Sequence, residues 1–144
     1  MTNLEYKMKK FIILLIIIVT SNILNAKSIV ITASKFVNDY YISNEVYKEL
    51  KNSKYYYLFN DYVDAKKGVD LSNYDYEVEF SYSYLDNTYF GMITLYKILM
   101  INNRIEAIYR NCVFFYTPYS SREEKIREFK NSIIEWIEEG YIDY

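Results

Sequence analysis

The chain is expected to fold as an α+β domain, an antiparallel three-stranded meander extended by one or two amino-terminal strands, with two helices packed on one face. Three observations predict this. From Tyr74 to Tyr84 every even position is aromatic or β-branched and every odd one is acidic or serine, the period of a strand with one buried and one wet face. Two long β-rich runs, Tyr89–Ile101 and Arg104–Tyr116, are separated only by Asn102-Asn103, residues that tolerate the positive φ of a two-residue hairpin turn. Finally, Ser121-Arg122-Glu123-Glu124 is a capping box, followed by a stripe of Ile126, Phe129, Ile133, Ile134 and Ile137 at helical spacing.

Of the 144 residues, the first 26 form a separate unit. Lys7, Lys9 and Lys10 precede an unbroken apolar run from Phe11 to Val19, and Leu24-Asn25-Ala26 offers a small-residue cleavage site. A signal peptide cut after Ala26 is expected, leaving one domain over 27–144 and a periplasmic or secreted product. The alternative is an uncleaved inner-membrane anchor, which would be the chain's only membrane contact. The apolar run falls short of the roughly 20 residues that a spanning helix needs.

Residues 1–26 hold three Lys and one Glu, so their removal takes the formal charge from −2 to −4. That mild acidity argues against nucleic acid, which selects basic surfaces. One cysteine, Cys112, rules out an internal disulfide, and its strand setting suits a small buried hydrophobe. The 19 Tyr and 8 Phe supply the core and leave rings for a contact surface.

Taken in order, Ser28–Ala33 is β-branched and reads as a first strand. Ser43 or Asn44 can cap a helix over about 43–53, with Val46, Tyr47 and Leu50 as its apolar stripe. Tyr55–Phe59 has strand composition, and Asp61–Lys67 makes a weak helix or none. In the meander, a three-residue loop of Asp86-Asn87-Thr88 would pair Tyr84 with Phe90, Tyr82 with Met92 and Val78 with Tyr96. The Asn102-Asn103 turn would pair Ile98 with Ala107, Tyr96 with Tyr109, Met92 with Val113 and Phe90 with Phe115. One core then serves all three strands. Ile93, Leu95, Leu99, Ile108 and Phe114 would lie on the opposite face, beside Glu77 facing Lys97 and Glu79 diagonal to Arg110. Gly140 ends a closing helix over 122–138.

Chemistry-bearing motifs are scarce. The chain has no His, and its three glycines, Gly68, Gly91 and Gly140, belong to no phosphate loop. Glu77 and Glu79 share a strand face as a possible carboxylate pair, but Lys97 and Arg110 would balance them as a solvated surface. No catalytic residue, cofactor or metal site is expected, and the reading leans away from an enzyme.

The order of elements resembles a known family. Ile29-Val30-Ile31 and Phe36 precede Val46-Tyr47-x-x-Leu50 and a strand ending Leu58-Phe59. Asp75-Tyr76-Glu77-Val78 opens the meander, Met92–Ile98 continues it, and a charged helix from Arg122 to Glu138 closes it. This is similar to the periplasmic α/β domain at the amino terminus of TolB, and to the curli-secretion and penicillin-binding-protein activator lipoproteins. The chain carries Phe80-Ser81 where that family has a glycine, only Asp61–Lys67 for its second helix, and no lipid-bearing cysteine. The resemblance implies a non-catalytic envelope module that binds another envelope protein.

The expected function is thus a small exported bacterial envelope protein acting as a binding or accessory module. Its partner would be an envelope protein or a second copy of itself, met through Ile93, Leu95, Leu99, Ile108 and Phe114 or through Tyr40 and Tyr41. The alternatives are a structural homo-oligomer joined at a strand edge and a carboxylate-dependent hydrolase.

Overall fold

The computed structural model describes residues 2–24, 27–64, 69–118 and 121–144. Helix α1 (Asn3–Leu24) is followed by strand β1 (Ile29–Ala33), helix α2 (Tyr41–Lys51) and strand β2 (Phe59–Val63). Strands β3 (Tyr76–Leu85), β4 (Thr88–Ile101) and β5 (Arg104–Pro118) form the meander, and helix α3 (Arg122–Glu138) closes it. The fold is α+β, with a five-stranded mixed sheet in the order β2-β1-β3-β4-β5. No helix among the described residues is long and apolar enough to cross a membrane. Asn25 and Ala26, where cleavage is expected, lie outside the described residues, as do Ala65–Gly68 of the expected weak helix.

The amino-terminal elements make a βαβ unit. β1 pairs in parallel with both β2 and β3, so the alternating strand β3 is the first strand of the meander and the central strand of the sheet. A parallel pair needs a long crossover, and α2 supplies it. α2 begins two residues before the expected start because Asp39 accepts the Tyr41 N–H (3.1 Å), which places Ser43 inside the helix. There Ser43 is buried and its hydroxyl meets the Tyr62 hydroxyl (2.9 Å). Tyr55–Phe59 is not a strand: Tyr56–Leu58 form a 3-10 turn and pairing starts only at Phe59. Residues 61–63 are strand, and the 3-10 turn Leu71–Asn73 leads into β3.

The β3–β4 register departs from the expectation by one residue. Asp86 and Asn87 both have positive φ (50° and 57°) and form a two-residue turn, the type I′ geometry that matches strand twist. Tyr84 therefore pairs with Tyr89, Phe80 with Ile93, Val78 with Leu95 and Tyr76 with Lys97. Because side chains alternate, that single residue exchanges the two faces of β4. Ile93 and Leu95 join Tyr76, Val78, Phe80 and Tyr82 in the core. Likewise Glu77 lies opposite Tyr96 and not Lys97.

The β4–β5 turn at Asn102-Asn103 and the pairs Ile98–Ala107 and Tyr96–Tyr109 are as expected. Beyond them a bulge between Leu95 and Tyr96 leaves Arg110 as an extra residue on β5, so Ile93 pairs with Val113 and Gly91 with Phe115. The expected pairs Met92–Val113 and Phe90–Phe115 are replaced by Met92–Phe114 and Phe90–Tyr116.

One core results. Ile42, Val46 and Leu50 of α2 and Phe129, Ile133 and Ile137 of α3 cover the same side of the sheet. Phe129 packs tilted against Phe115 (4.6 Å between centroids) and meets Phe80 edge-on (5.8 Å). Ser121 caps α3, accepting the Glu124 N–H at 3.2 Å. Lys125, also buried, holds its ammonium 6.0 Å from the Phe115 ring centroid and pairs it with Glu128.

Past Gly140 the chain folds back onto this core. Ile142 is fully buried, and the Tyr141 and Ile142 N–H groups both donate to the Trp136 carbonyl. Asp143 accepts the Tyr76 hydroxyl (2.8 Å) and pairs with Lys97 (3.4 Å). No periodic signal in so short a segment announces this latch.

Two measurements probe these contacts. Gly91 has φ +147°, and a Cβ there would lie 2.2 Å from the Ser81 carbonyl oxygen and 2.5 Å from Tyr82 Cα. Gly91→Ala is expected to lower stability to urea by about 2–5 kcal/mol, from strain and overpacking together. The Tyr76 hydroxyl, then Lys97 and Arg110, hold the Asp143 carboxyl below its ordinary range. A depressed folded-state pKa means the latch is stable above the unfolded value of about 4 and weakens as pH falls through the folded value. Emission from Trp136 should therefore change in acid before far-UV circular dichroism does. Asp143→Asn should remove that early step.

Candidate functional site

The five sheet residues expected to share a contact face do not share one. Ile93, Leu95, Leu99 and Ile108 all fall on the helix-facing side. Ile93 and Leu95 are fully buried in the core and cannot meet a partner. Leu99 and Ile108 are exposed because β3 ends its pairing with β4 at Lys97, and the hairpin runs on past it. Only Phe114 lies on the side away from the helices. The bulge at Arg110 causes this split, since one extra residue reverses which β5 side chains face each way.

The tyrosines separate similarly. Tyr40 packs against the core, whereas Tyr41 is exposed beneath the Arg122 guanidinium (5.0 Å from its ring centroid). Tyr41 also lines a cleft between α2 and α3 of about 430 Å³, with Glu45, Glu49, Arg127 and Lys130. Lys130 and Glu49 pair across it at 3.4 Å, so its charges bridge the helices.

What the structure brings together is a strip on the open side of β4 and β5. Phe90 faces Tyr116 and Met92 faces Phe114 across the pair. Phe114 is 71% and Tyr116 75% exposed, although both stand in regular strand. Met100, Ile105 and Tyr109 continue the strip along the projecting hairpin, where every residue from Ile101 to Arg110 is exposed. Contiguous apolar surface of this kind marks contact sites in folded proteins. Cys112 lies within it, half-buried, and its sulfur takes the Tyr109 hydroxyl at 3.5 Å. The cysteine is thus part of a surface and not the buried hydrophobe expected. The signal available in the sequence was the alternation of Cys112, Phe114 and Tyr116, hidden by the equally apolar Val113 and Phe115 between them.

The carboxylates serve the scaffold. Glu77 is buried and accepts the Thr32 hydroxyl at 2.7 Å, tying β3 to β1. Asp61 accepts the Tyr74 hydroxyl at 2.6 Å, and that bond raises the phenol to about 12. Burial likewise pushes the Tyr82 phenol upward, its oxygen lodged between the Asp39 carbonyl and the Ser43 N–H. Among the described residues no group of three His, Cys, Asp or Glu is placed to hold a metal ion.

These placements separate core from surface by experiment. Leu95→Glu would bury an uncompensated carboxylate and should prevent folding. Ile108→Glu should fold with stability to urea changed by less than about 0.5 kcal/mol, and Phe114→Glu should fold as well.

Comparison with protein-family models, with curated proteins and with solved structures gave no match to this chain.

Proposed function

We infer that this is a small exported bacterial envelope protein that works as a non-catalytic binding or accessory module. The observation that carries the reading is the aromatic strip on the open side of β4 and β5, above all the exposure of Phe114 and Tyr116. Two large rings standing in water from well-formed strands add nothing to the core, and association would cover them. The absence of His from the chain supports a binding role over acid–base chemistry. Glu77, held by Thr32 inside the sheet, acts as a structural acceptor in this reading.

Export is supported by Lys7, Lys9 and Lys10 ahead of the apolar run, and by the small-residue cleavage site ending at Ala26. On this reading the working protein begins at Lys27 in the periplasm or outside the cell. Its resemblance in element order to the TolB amino-terminal type of domain points the same way.

A photoreactive phenylalanine analogue placed at Phe114 or Tyr116 in the producing cell tests this. Envelope fractions should then yield crosslinked adducts whose own chain starts at Lys27. The same analogue at Tyr56, exposed in the turn that leads into β2 at the other edge of the sheet, should yield few. No adduct from either strip position would overturn the reading.

A further inference from the structure

The two edges of the sheet are unlike. β2 offers five residues, with exposed Asn60 and Asp61 among them. β5 offers fifteen, and from Asn111 to Pro118 none is charged. Short, charged edges resist pairing with another strand, and long uncharged ones invite it. The bulge at Arg110 and the missing N–H of Pro118 bound a regular stretch of edge whose centre is Phe114.

The backbone directions follow from the turns. Leu85 and Thr88 flank a two-residue turn and so form a hydrogen-bonded pair, which makes the even residues of β4 bond to β3. The odd residues Gly91, Ile93 and Leu95 then bond to Phe115, Val113 and Asn111. Cys112, Phe114 and Tyr116 consequently direct their N–H and C=O groups outward. The Asn111 side chain accepts the Cys112 N–H at 2.8 Å, which agrees with that direction.

We propose that β5 pairs antiparallel with β5 of a second copy of this chain, about a two-fold axis at Phe114. The proposal rests on the reading of the outer hairpin as the contact surface. Each Phe114 lies opposite its symmetry mate, Cys112 opposite Tyr116, and Val113 opposite Phe115. About four main-chain hydrogen bonds form without disturbing Asn111.

Charge selects this register. An axis at Ala107 would set Arg104 opposite Arg110 of the other copy, a like-charge pair that destabilises. The axis at Phe114 places no charge against a like charge. Phe114 and Tyr116 of two copies expose on the order of 600 Å². Pairing covers part of that surface together with the main-chain edge, a contact at the low end of the size of specific interfaces, so the dimer is a reversible one.

Sedimentation equilibrium of the full chain in density-matched non-ionic detergent tests the pairing. Wild type should give a reversible dimer. Phe114→Lys and Phe114→Glu should each raise the dissociation constant at least tenfold, and an equimolar mixture of the two should restore a one-to-one dimer. Should the charged variants not fold, Phe114→Cys in a Cys112→Ser background replaces them. A bonded pair brings the two Cα atoms to about 5.5 Å, within disulfide reach, so mild oxidation should link two chains. A monomeric wild type, variants that dimerise as wild type does, a mixture that stays monomeric, or the absence of that disulfide would each overturn the proposal. A monomer that still gives Phe114 adducts with a different protein ends self-pairing and leaves the contact surface standing. A monomer without adducts ends both.

Discussion

The turn at Asp86-Asn87 decides what the rest of the protein can be. Two consecutive residues at positive φ close the β3–β4 hairpin in two residues. Strand side chains alternate, so this count fixes whether Ile93 and Leu95 or Met92 and Thr94 face the helices. With two residues, Ile93 and Leu95 meet Phe80 and Val78, and α3 has an apolar floor. The same parity puts Gly91 beneath Tyr82, where the missing side chain lets the Tyr82 and Phe115 rings approach to 6.3 Å. Phe129 of α3 closes on that cluster through Phe115. Turn, glycine and helix are therefore one device.

Much of this was legible wherever a single strong pattern had no rival. The alternation of Tyr74–Tyr84 placed β3, and the capping box with its isoleucine stripe placed α3, because local chemistry and tertiary packing agree there. The Asn102-Asn103 turn was legible for the same reason. At the other turn, Asp86-Asn87-Thr88 supports two or three residues equally well, and β4 is apolar on both faces, so hydrophobic pattern could not arbitrate. The bulge at Arg110 left no mark either, since β5 is apolar on both sides beyond it. Parallel pairing of β1 to β2 and β3 is a long-range choice that no local pattern encodes. The carboxyl-terminal latch depends on Tyr76 and Lys97, more than forty residues away.

The exposed apolar surface was legible in kind and misplaced in detail. An apolar excess on β4 and β5 beyond what one core can absorb was visible in the composition, and so was its location on the outer meander. Which residues carry the excess depends on parity alone. One residue in the turn moved Ile93 and Leu95 inside, and one in the bulge sent Phe114 to the side opposite Ile108. Composition decides how much apolar surface remains, whereas register decides which atoms present it.

The bulge also separates two sets of side chains along the same pair of strands. On the β3-paired length of β4, inward residues are committed to packing, and Phe115 is held by Phe129. On the opposite side and along the projecting hairpin, Phe114, Tyr116 and Tyr109 contribute little to that core. Stability therefore draws on the inward set alone, so the outer set can change without disturbing it. A strand built in this way holds rigid rings in water at small conformational cost, because the backbone beneath them is already fixed by β4. That preorganisation is what an exposed loop of the same composition would lack.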